Sequence, residues 1–586
     1  MSHAEPQSFI SKYIFSFDHK VIGIQYMITA IVMALFGGGL ALMIRTQLQH
    51  PEMGLFAPEA YLSYVTMHGT IMVFFVVSMA ISGFGNFLIP LQIGARDMAY
   101  PFLNMLSYWT MVPACLIMIA SFFVPGGAAA AGWTMYPPLS AVEQTVPGSG
   151  IGTTLWILGM ALFIASFTMG GLNFLTTILN CRTKGLTMWR LPLATWGFLV
   201  ATVLGLLAFP PLTSAAIMLL FDRHVDTSFF VTDMVINDQL LNLGDGTPLL
   251  FQHLFWFLGH PEVYVLVIPP LLMTMDIIPV FTRRPAFGYR QSIWALGVIS
   301  FLSMIVWGHH MFVTGMNPYI GKYFSIATVI ITAPFAVLGV NLLASLWRAR
   351  LRPAVPMLFA LAVISAVGFG GFGGLFLGTM VSDIYFHETY FVVGHFHLMI
   401  GTVTLLGIFA AWYFWFPKMF GKKMDENLGR WHFWLTALPM IAIFLLMHLQ
   451  GMGGMVRRTF DPGTYEYNAG MNMALRFPIT IMAYVLFIGQ MIFFWNIVRS
   501  LKRGEPAGEN PWDAATLEWI TPSPAPHGNF GAALPVVSCG PYEYSVGEDG
   551  FGYLPQSGGG EVAVHSPASA EEREETGGTD SGETGA

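Results

Sequence analysis

Charge is what this sequence has least of. Of 586 residues, 26 are Lys or Arg and 33 are Asp or Glu, so charged side chains make up 10% of the chain against 55% hydrophobic ones. Soluble proteins carry roughly 25% charged residues, and so few could not cover the several soluble domains this length would otherwise suggest. A basic surface is missing as well: the net charge is −7, with no basic patch, which excludes a nucleic-acid binder. Cysteine is nearly absent. Cys115, Cys181 and Cys539 stand far apart with no CxxC pair, which excludes a disulfide framework and a thiolate metal cluster. The roughly twenty polar residues ahead of the first apolar run show no cleavable signal pattern. No internal repeat is evident, which speaks against a secondary transporter built from duplicated halves.

What is present is apolar sequence in long runs, and the mean hydropathy is +0.61. Twelve runs are long enough to cross about 30 Å of hydrocarbon: 21–46, 61–91, 102–124, 151–180, 194–221, 249–281, 292–316, 323–348, 356–381, 390–417, 431–453 and 474–499. They are continuous rather than alternating, which selects helices over a barrel. The expected fold is an all-α membrane protein, a bundle of twelve transmembrane helices. With the N-terminus inside, 19 of the 26 Lys and Arg fall on the inner side and 5 in outer loops, with Arg45 ending the first run outside and Arg573 in the tail. Positive charge is retained inside, so N-in and C-in is the expected orientation. The chain divides into a cytoplasmic N-terminal segment 1–20, the core 21–503, a cytoplasmic C-terminal segment 504–545 and an acidic tail 546–586 expected to be disordered.

Nine of the 16 histidines lie inside these runs, and six of them are the candidate site residues: His68, His260, His309, His310, His395 and His397. One such residue is often an ordinary hydrogen-bonded histidine; six on several helices point to function. Neutral imidazoles suit iron and copper, and a bundle core is where such sites are built. Each helical residue turns by about 100°, so His395 and His397 face nearly opposite ways and serve two centres. His260 and Tyr264 are four apart and share a face, one turn or roughly 6 Å from each other. His309 and His310 reach one metal together if the helix end there is irregular. The spacing gives a three-histidine, copper-like group and a second set suited to flat cofactors, most naturally haem irons.

The motifs FDHKVIGIQY, GFGNFLIPLQIGARDMAYP, GWTMYPPLS, FWFLGHPEVYVLVIPP, VWGHHMF, FHETYFVVGHFHL and NPWDAATLEW lie along residues 15–530. In these the chain resembles subunit I of the haem–copper oxygen reductases, the aa3-type cytochrome c oxidases. The resemblance implies a terminal respiratory oxidase of the bacterial plasma (inner) membrane. It would reduce O2 to water with four electrons and pump protons. By the same resemblance His68 and His397 ligate a low-spin haem, His395 binds a high-spin haem, and His260, His309 and His310 hold a copper facing it. Tyr264 is joined covalently to His260 in the family and supplies an electron and a proton. His387 and Glu388 stand where the family binds Mg2+ or Mn2+ through His and Asp. Arg457 and Arg458 match arginines that hold haem propionates, with Trp133 in the same region. Arg45 matches an arginine near a formyl group, which favours haem A.

A proton route is implied from Asp97 past Asn86 and Asn104 to Glu262, a buried carboxyl suited to loading and releasing protons. A second family route, with Thr and Lys in helix 8 and Ser in helix 6, reads Phe335, Leu338 and Met275 here; Thr332, Thr328, Ser325 and Asn341 are the candidates to rebuild it. The family's quinone-site positions read Phe36, Leu40, Ala60 and Ser63, none suited to hold a quinone. The expected donor is therefore cytochrome c, through a subunit II carrying the dinuclear copper centre, with subunit III and other oxidase subunits as further partners. The alternatives are a quinol oxidase, a nitric oxide reductase (against which Tyr264 speaks) and a transporter without haem.

Overall fold

The computed structural model describes residues 8–145, 150–236, 238–546 and 552–558. Twelve helices organise these residues: α1 His19–Gln49, α2 Pro58–Ile93, α3 Pro101–Phe123, α4 Ile151–Asn180, α5 Leu193–His224, α6 Pro248–Thr282, α7 Tyr289–Ser303, α8 Pro318–Ser345, α9 Val355–Leu377, α10 Tyr390–Phe420, α11 Glu426–Met452 and α12 Met471–Arg503. All but α7 are long and apolar enough to cross a membrane, eleven among the described residues. Strands are confined there to two short antiparallel hairpins, Thr232–Ile236 with Gln239–Asp245 and Tyr544–Val546 with Gly552–Tyr553.

A helix in lipid satisfies its own backbone, and its ends are where sequence has to intervene. Asp18 caps α1 by accepting from Lys20 N at 2.9 Å, Asn317 caps α8 through Tyr319 N at 2.9 Å, and Asp425 caps α11 through Leu428 N at 2.9 Å. Gly94 ends α2 in the left-handed conformation, φ +72°, where a Cβ would stand 2.6 Å from Thr183 Cγ2.

Consecutive helices pack side by side: α3 along α4, α5 along α6, α9 along α10 and α11 along α12, with α1 lying against both α2 and α12. The most enclosed spans are α2 and α6. Four prolines interrupt α6, at 261, 269, 270 and 279. Each removes a helical N–H, and the enclosing helices shield the freed carbonyls from lipid.

Three local departures from the α-helix shape the interior. The stretch expected as one span over 292–316 stops being α-helix at Ser303 and resumes after a turn as a 3-10 stretch, Trp307–Met311. Bare backbone at Gly308 lets the Phe324 ring pack there, since a Cβ would stand 2.2 Å from it. π-helical turns occupy Ile71–Val77 in α2 and His397–Val403 in α10. Such turns hold an extra residue, reset which face later side chains occupy, and occur frequently at functional sites.

The C-terminal segment folds back over the end of the bundle that carries the start of α1. Leu517 and Trp519 are buried, and the Asn529 side chain meets His19 and Lys20. Both described ends of the core therefore lie at one end of the bundle. The acidic tail expected over 546–586 lies outside the described residues, apart from 546 and 552–558.

Candidate functional site

A cavity of about 950 Å³ runs through the middle of the bundle, at the upper end of the roughly 300–1,000 Å³ typical of ligand sites. The six candidate histidines, Glu262, Tyr264, His387, Glu388, Arg45, Trp133, Arg457 and Arg458 all line it. Asp97, Asn86 and Asn104 stand outside it.

The histidines fall into three arrangements. Across the cavity, the rings of His68 on α2 and His397 on α10 are parallel to within 8°, their centroids 6.4 Å apart. Two imidazoles on opposite sides of one metal, each with its nitrogen about 2 Å from it, leave a gap of this size. Nδ1 of His68 bonds to the Gly37 carbonyl at 2.9 Å, and Nδ1 of His397 to the Val393 carbonyl at 2.9 Å. A backbone carbonyl accepts only an N–H, so Nε2 of each ring keeps its lone pair for a metal.

His395 is fixed in the same way, its Nδ1 bonded to the Gly370 carbonyl at 2.8 Å. It stands against α9 because that helix is glycine there: Cβ atoms at Gly373 and Gly374 would lie 3.2 Å and 3.1 Å from its ring. The third arrangement is His260, His309 and His310, whose ligand atoms all lie within 4.8 Å of one another. His260 comes from α6 and the other two from the 3-10 stretch, the irregular end that their joint reach requires. His309 Nδ1 donates to Thr328 Oγ1 at 3.0 Å, and that hydroxyl donates to the Phe324 carbonyl at 2.6 Å. His310 stacks on Trp256 at 3.8 Å. His260 Nδ1 lies 3.4 Å from His310 Nε2, while its own Nε2 is buried without a partner and the Tyr264 ring is centred 4.8 Å away.

Unpartnered donors also point into the cavity. Arg45 bonds Thr480 Oγ1 at 3.1 Å through Nη2, but its Nε and Nη1 are buried and unpaired, as is Nη2 of Arg458. Arginine nitrogens only donate, so a cavity group carrying acceptor oxygens suits them. Burial lowers the Arg458 guanidinium to about 10, and its neighbour Arg457 adds to the shift. Trp133 packs edge-on against Phe255 and Trp256, with centroids 5.5 and 5.9 Å away.

The expected Mg2+ or Mn2+ position at His387 and Glu388 has a different arrangement. Arg457 takes both Glu388 oxygens, with Nε on Oε2 at 2.6 Å and Nη2 on Oε1, and Arg458 Nη1 lies 3.9 Å from Oε2. Burial alone would raise the Glu388 carboxyl, but the guanidiniums hold it at about 2. His387 Nδ1 is bonded to Asp383 Oδ2 at 2.7 Å. Each Glu388 oxygen keeps a lone pair beyond its arginine bond, so a divalent ion here would share the carboxylate with Arg457.

On the proton side, Glu262 is 2% exposed; Ser78 Oγ donates to its Oε1 at 3.4 Å, and Oε2 has no partner. Asp97 accepts from its neighbour Met98 N at 2.7 Å, and burial pushes its carboxyl up. Asn104 is buried with both amide atoms unpaired, and Asn86 Oδ1 is unpaired. A pocket of about 30 Å³ lies beside Asn86, lined also by Tyr26, Ser82 and Ser166, enough for water beside polar groups that need it. Tyr26 and Ser107, bonded at 3.1 Å, belong to this polar string. Sequence reading missed them, because a lone hydroxyl in an apolar helix gives no signal. The candidates for the second route are scattered: Ser325 Oγ bonds Met380 N at 3.1 Å and Asn341 bonds Ser292 Oγ at 2.9 Å, while Thr328 serves His309 and Thr332 faces the cavity.

Fold and cavity together define a polytopic membrane protein with imidazoles placed to hold metals. The comparisons carry this further. The family described as "Cytochrome C and Quinol oxidase polypeptide I" matches residues 21–492. An "Alternative cytochrome c oxidase subunit 1" of Bradyrhizobium diazoefficiens is 45% identical over 555 residues, 94% of each chain. A "Cytochrome c oxidase subunit 1" of Thermostichus vulcanus is 40% identical over 547 residues, 93% of this chain and 94% of that one. A cryo-EM structure of a heme-copper terminal oxidase dimer is similar in fold, with TM-score 0.66, 19% identity and coverage of 82% of this chain and 84% of that one. The chain belongs to the haem–copper oxidase subunit I family, whose cofactors are haem and copper.

Proposed function

We propose that this chain is the catalytic subunit of a proton-pumping cytochrome c oxidase in the bacterial plasma membrane. It would hold two haems, of the A type, and one copper. The observation that carries the reading is the set of three imidazole arrangements opening on one cavity, with parallel His68 and His397, His395 alone, and the His260, His309 and His310 cluster. Bound there, haem and copper supply electron transfer and the four-electron reduction of O2 to water.

The residues' own tasks follow. His68 and His397 would hold one haem between them, His395 would hold the second, and His260, His309 and His310 would hold the copper. Tyr264 keeps a phenol proton next to His260, whose unpartnered Nε2 supports the covalent bond expected between them. Asp97 admits protons, Asn86 and Asn104 order water, and Glu262 passes protons on from its dry setting. Arg45 and Arg458 offer their unpaired donors to formyl and propionate oxygens, with Arg457 and Trp133 holding the same wall.

The quinone positions support a cytochrome c donor acting through subunit II. Phe36 packs on Phe122 at 5.3 Å, Leu40 is buried, and Ser63 Oγ is committed to the Ala128 carbonyl at 2.9 Å. Twelve crossings are supported by parity. The N- and C-terminal segments meet at one end of the bundle, so the chain crosses an even number of times, and α7 with its 3-10 extension supplies the crossing that length alone omits. A redox difference spectrum and oxygen uptake by the purified complex test the reading. Haem bands and oxidation of reduced cytochrome c are expected. Absence of haem would refute the oxidase, and oxidation of quinol but not cytochrome c would refute the donor.

A further inference from the structure

A second group of buried acids lies where the C-terminal segment docks. Asp276, near the end of α6, is 5% exposed, and Glu518, in the turn Leu517–Trp519, is 1% exposed. One amide serves both: Gln92 Nε2 donates to Asp276 Oδ2 at 3.2 Å and to Glu518 Oε1 at 3.3 Å. The amide's orientation is fixed by Thr195 Oγ1, which donates to its oxygen at 2.7 Å. Asp276 Oδ1 accepts from the Tyr542 hydroxyl and from Ala194 N at 3.3 Å; Glu518 Oε1 also accepts from Trp415 Nε1 at 3.3 Å. Glu518 Oε2 is buried with no partner.

No cation is paired with these acids, and the one cation that faces them, Lys418, acts on Glu518 from a distance. Neither carboxyl takes part in an ion pair among the described residues. The ionisable groups facing them are the phenols of Tyr542, Tyr289 and Tyr544, and Lys418. Lys418 is committed to backbone oxygens, Thr521 at 2.6 Å and Glu509 and Pro522 at 3.4 Å each. Arg283 turns instead to the Trp512 and Asp513 carbonyls at 2.8 and 2.6 Å.

We propose that Asp276, Gln92 and Glu518 form a proton-binding site, which holds one proton on one or the other of the two carboxyls bridged by the Gln92 amide and so ties docking of the C-terminal segment to pH. Two carboxylates in one dry site with no ion-pair partner do not both stay ionised. Burial raises the Glu518 carboxyl, and release of the segment would return it to water. The docked form therefore binds more protons. Docking is full below the ordinary glutamate range and weakens as pH rises through the raised docked value. The same segment carries Asn529, which donates to the Ala95 carbonyl at 2.8 Å, two residues before Asp97, so the proton also governs what covers that carboxyl.

Hydrogen exchange of the purified complex, corrected for intrinsic rates, tests this over residues 512–545. With one linked proton, protection of wild type falls by up to about tenfold per pH unit between the ordinary glutamate range and the raised docked value, and levels off above it. Glu518→Gln removes the ionisation and flattens that dependence, as does Asp276→Asn on the other side of the interface. Protection that is independent of pH in wild type overturns the proposal, whether or not either variant assembles. So does a wild-type slope retained in both variants.

Discussion

At the residue scale, the proposed reading assigns the two neighbours His395 and His397 to different centres, and that division can be tested. His397 pairs with His68 across 6.4 Å, and His395 does not. His395→Ala is expected to preserve the low-spin haem spectrum while abolishing reaction with oxygen. His397→Ala is expected to remove the low-spin bands. Optical spectra of the two purified variants check this, and the reverse outcome would exchange the assignments. Glu388 gives a second prediction. With His387 and Glu388 as the expected ligands, enzyme from cells grown with Mn2+ should contain bound manganese by EPR, and Glu388→Gln should contain much less. Equal manganese in the two would show that Glu388 serves Arg457 alone. The histidines were legible in the sequence because an ionisable residue in an apolar run stands out. Their fixing partners, Thr328 and the Gly37 and Gly370 carbonyls, were not, since nothing local distinguishes them.

At the element scale, what brings the ligands together is how closely helices approach. The start of α10 lies so near α11 that a Cβ on Gly451 would stand 1.9 Å from Phe391 N, a backbone atom that cannot turn aside. Gly451→Ala should push α10 away just before His395, with an overpacking cost of about 1–3 kcal/mol. Gly297→Ala on α7, exposed and outside the cavity, where a Cβ meets nothing within 4 Å, is the matched control. Thermal unfolding of the detergent-solubilised complex should show a lower Tm for Gly451→Ala alone, and equal values would show that the approach is slack. The long spans were legible from continuous apolar runs. The break after Ser303 was legible only as the irregular end that His309 and His310 require, since no proline marks it. The π turns escape periodicity for a related reason: one extra residue per turn shifts phase without changing composition.

At the scale of the whole molecule, orientation is the property on which proton uptake depends, and the scarcity of charge is what encodes it. With 19 of 26 basic residues at the end where both chain segments meet, that end should face the cytoplasm. The composition of 504–545 reads as loop, which concealed that this segment closes the same end through Asn529 and Glu518. The three cysteines make a direct test because they differ in place. Cys181 follows α4 at the charged end, Cys539 lies in the C-terminal segment, and both are partly exposed, whereas Cys115 is buried inside α3. A membrane-impermeant maleimide should label Cys181 and Cys539 in inverted vesicles and not in right-side-out ones, and should leave Cys115 unlabelled in both. Burial raises the Cys181 and Cys539 thiols, so labelling should quicken as pH rises and more thiolate forms. Modification of Cys181 from the outer side would reverse the bundle, and with it the direction in which Asp97 and Glu262 pass protons.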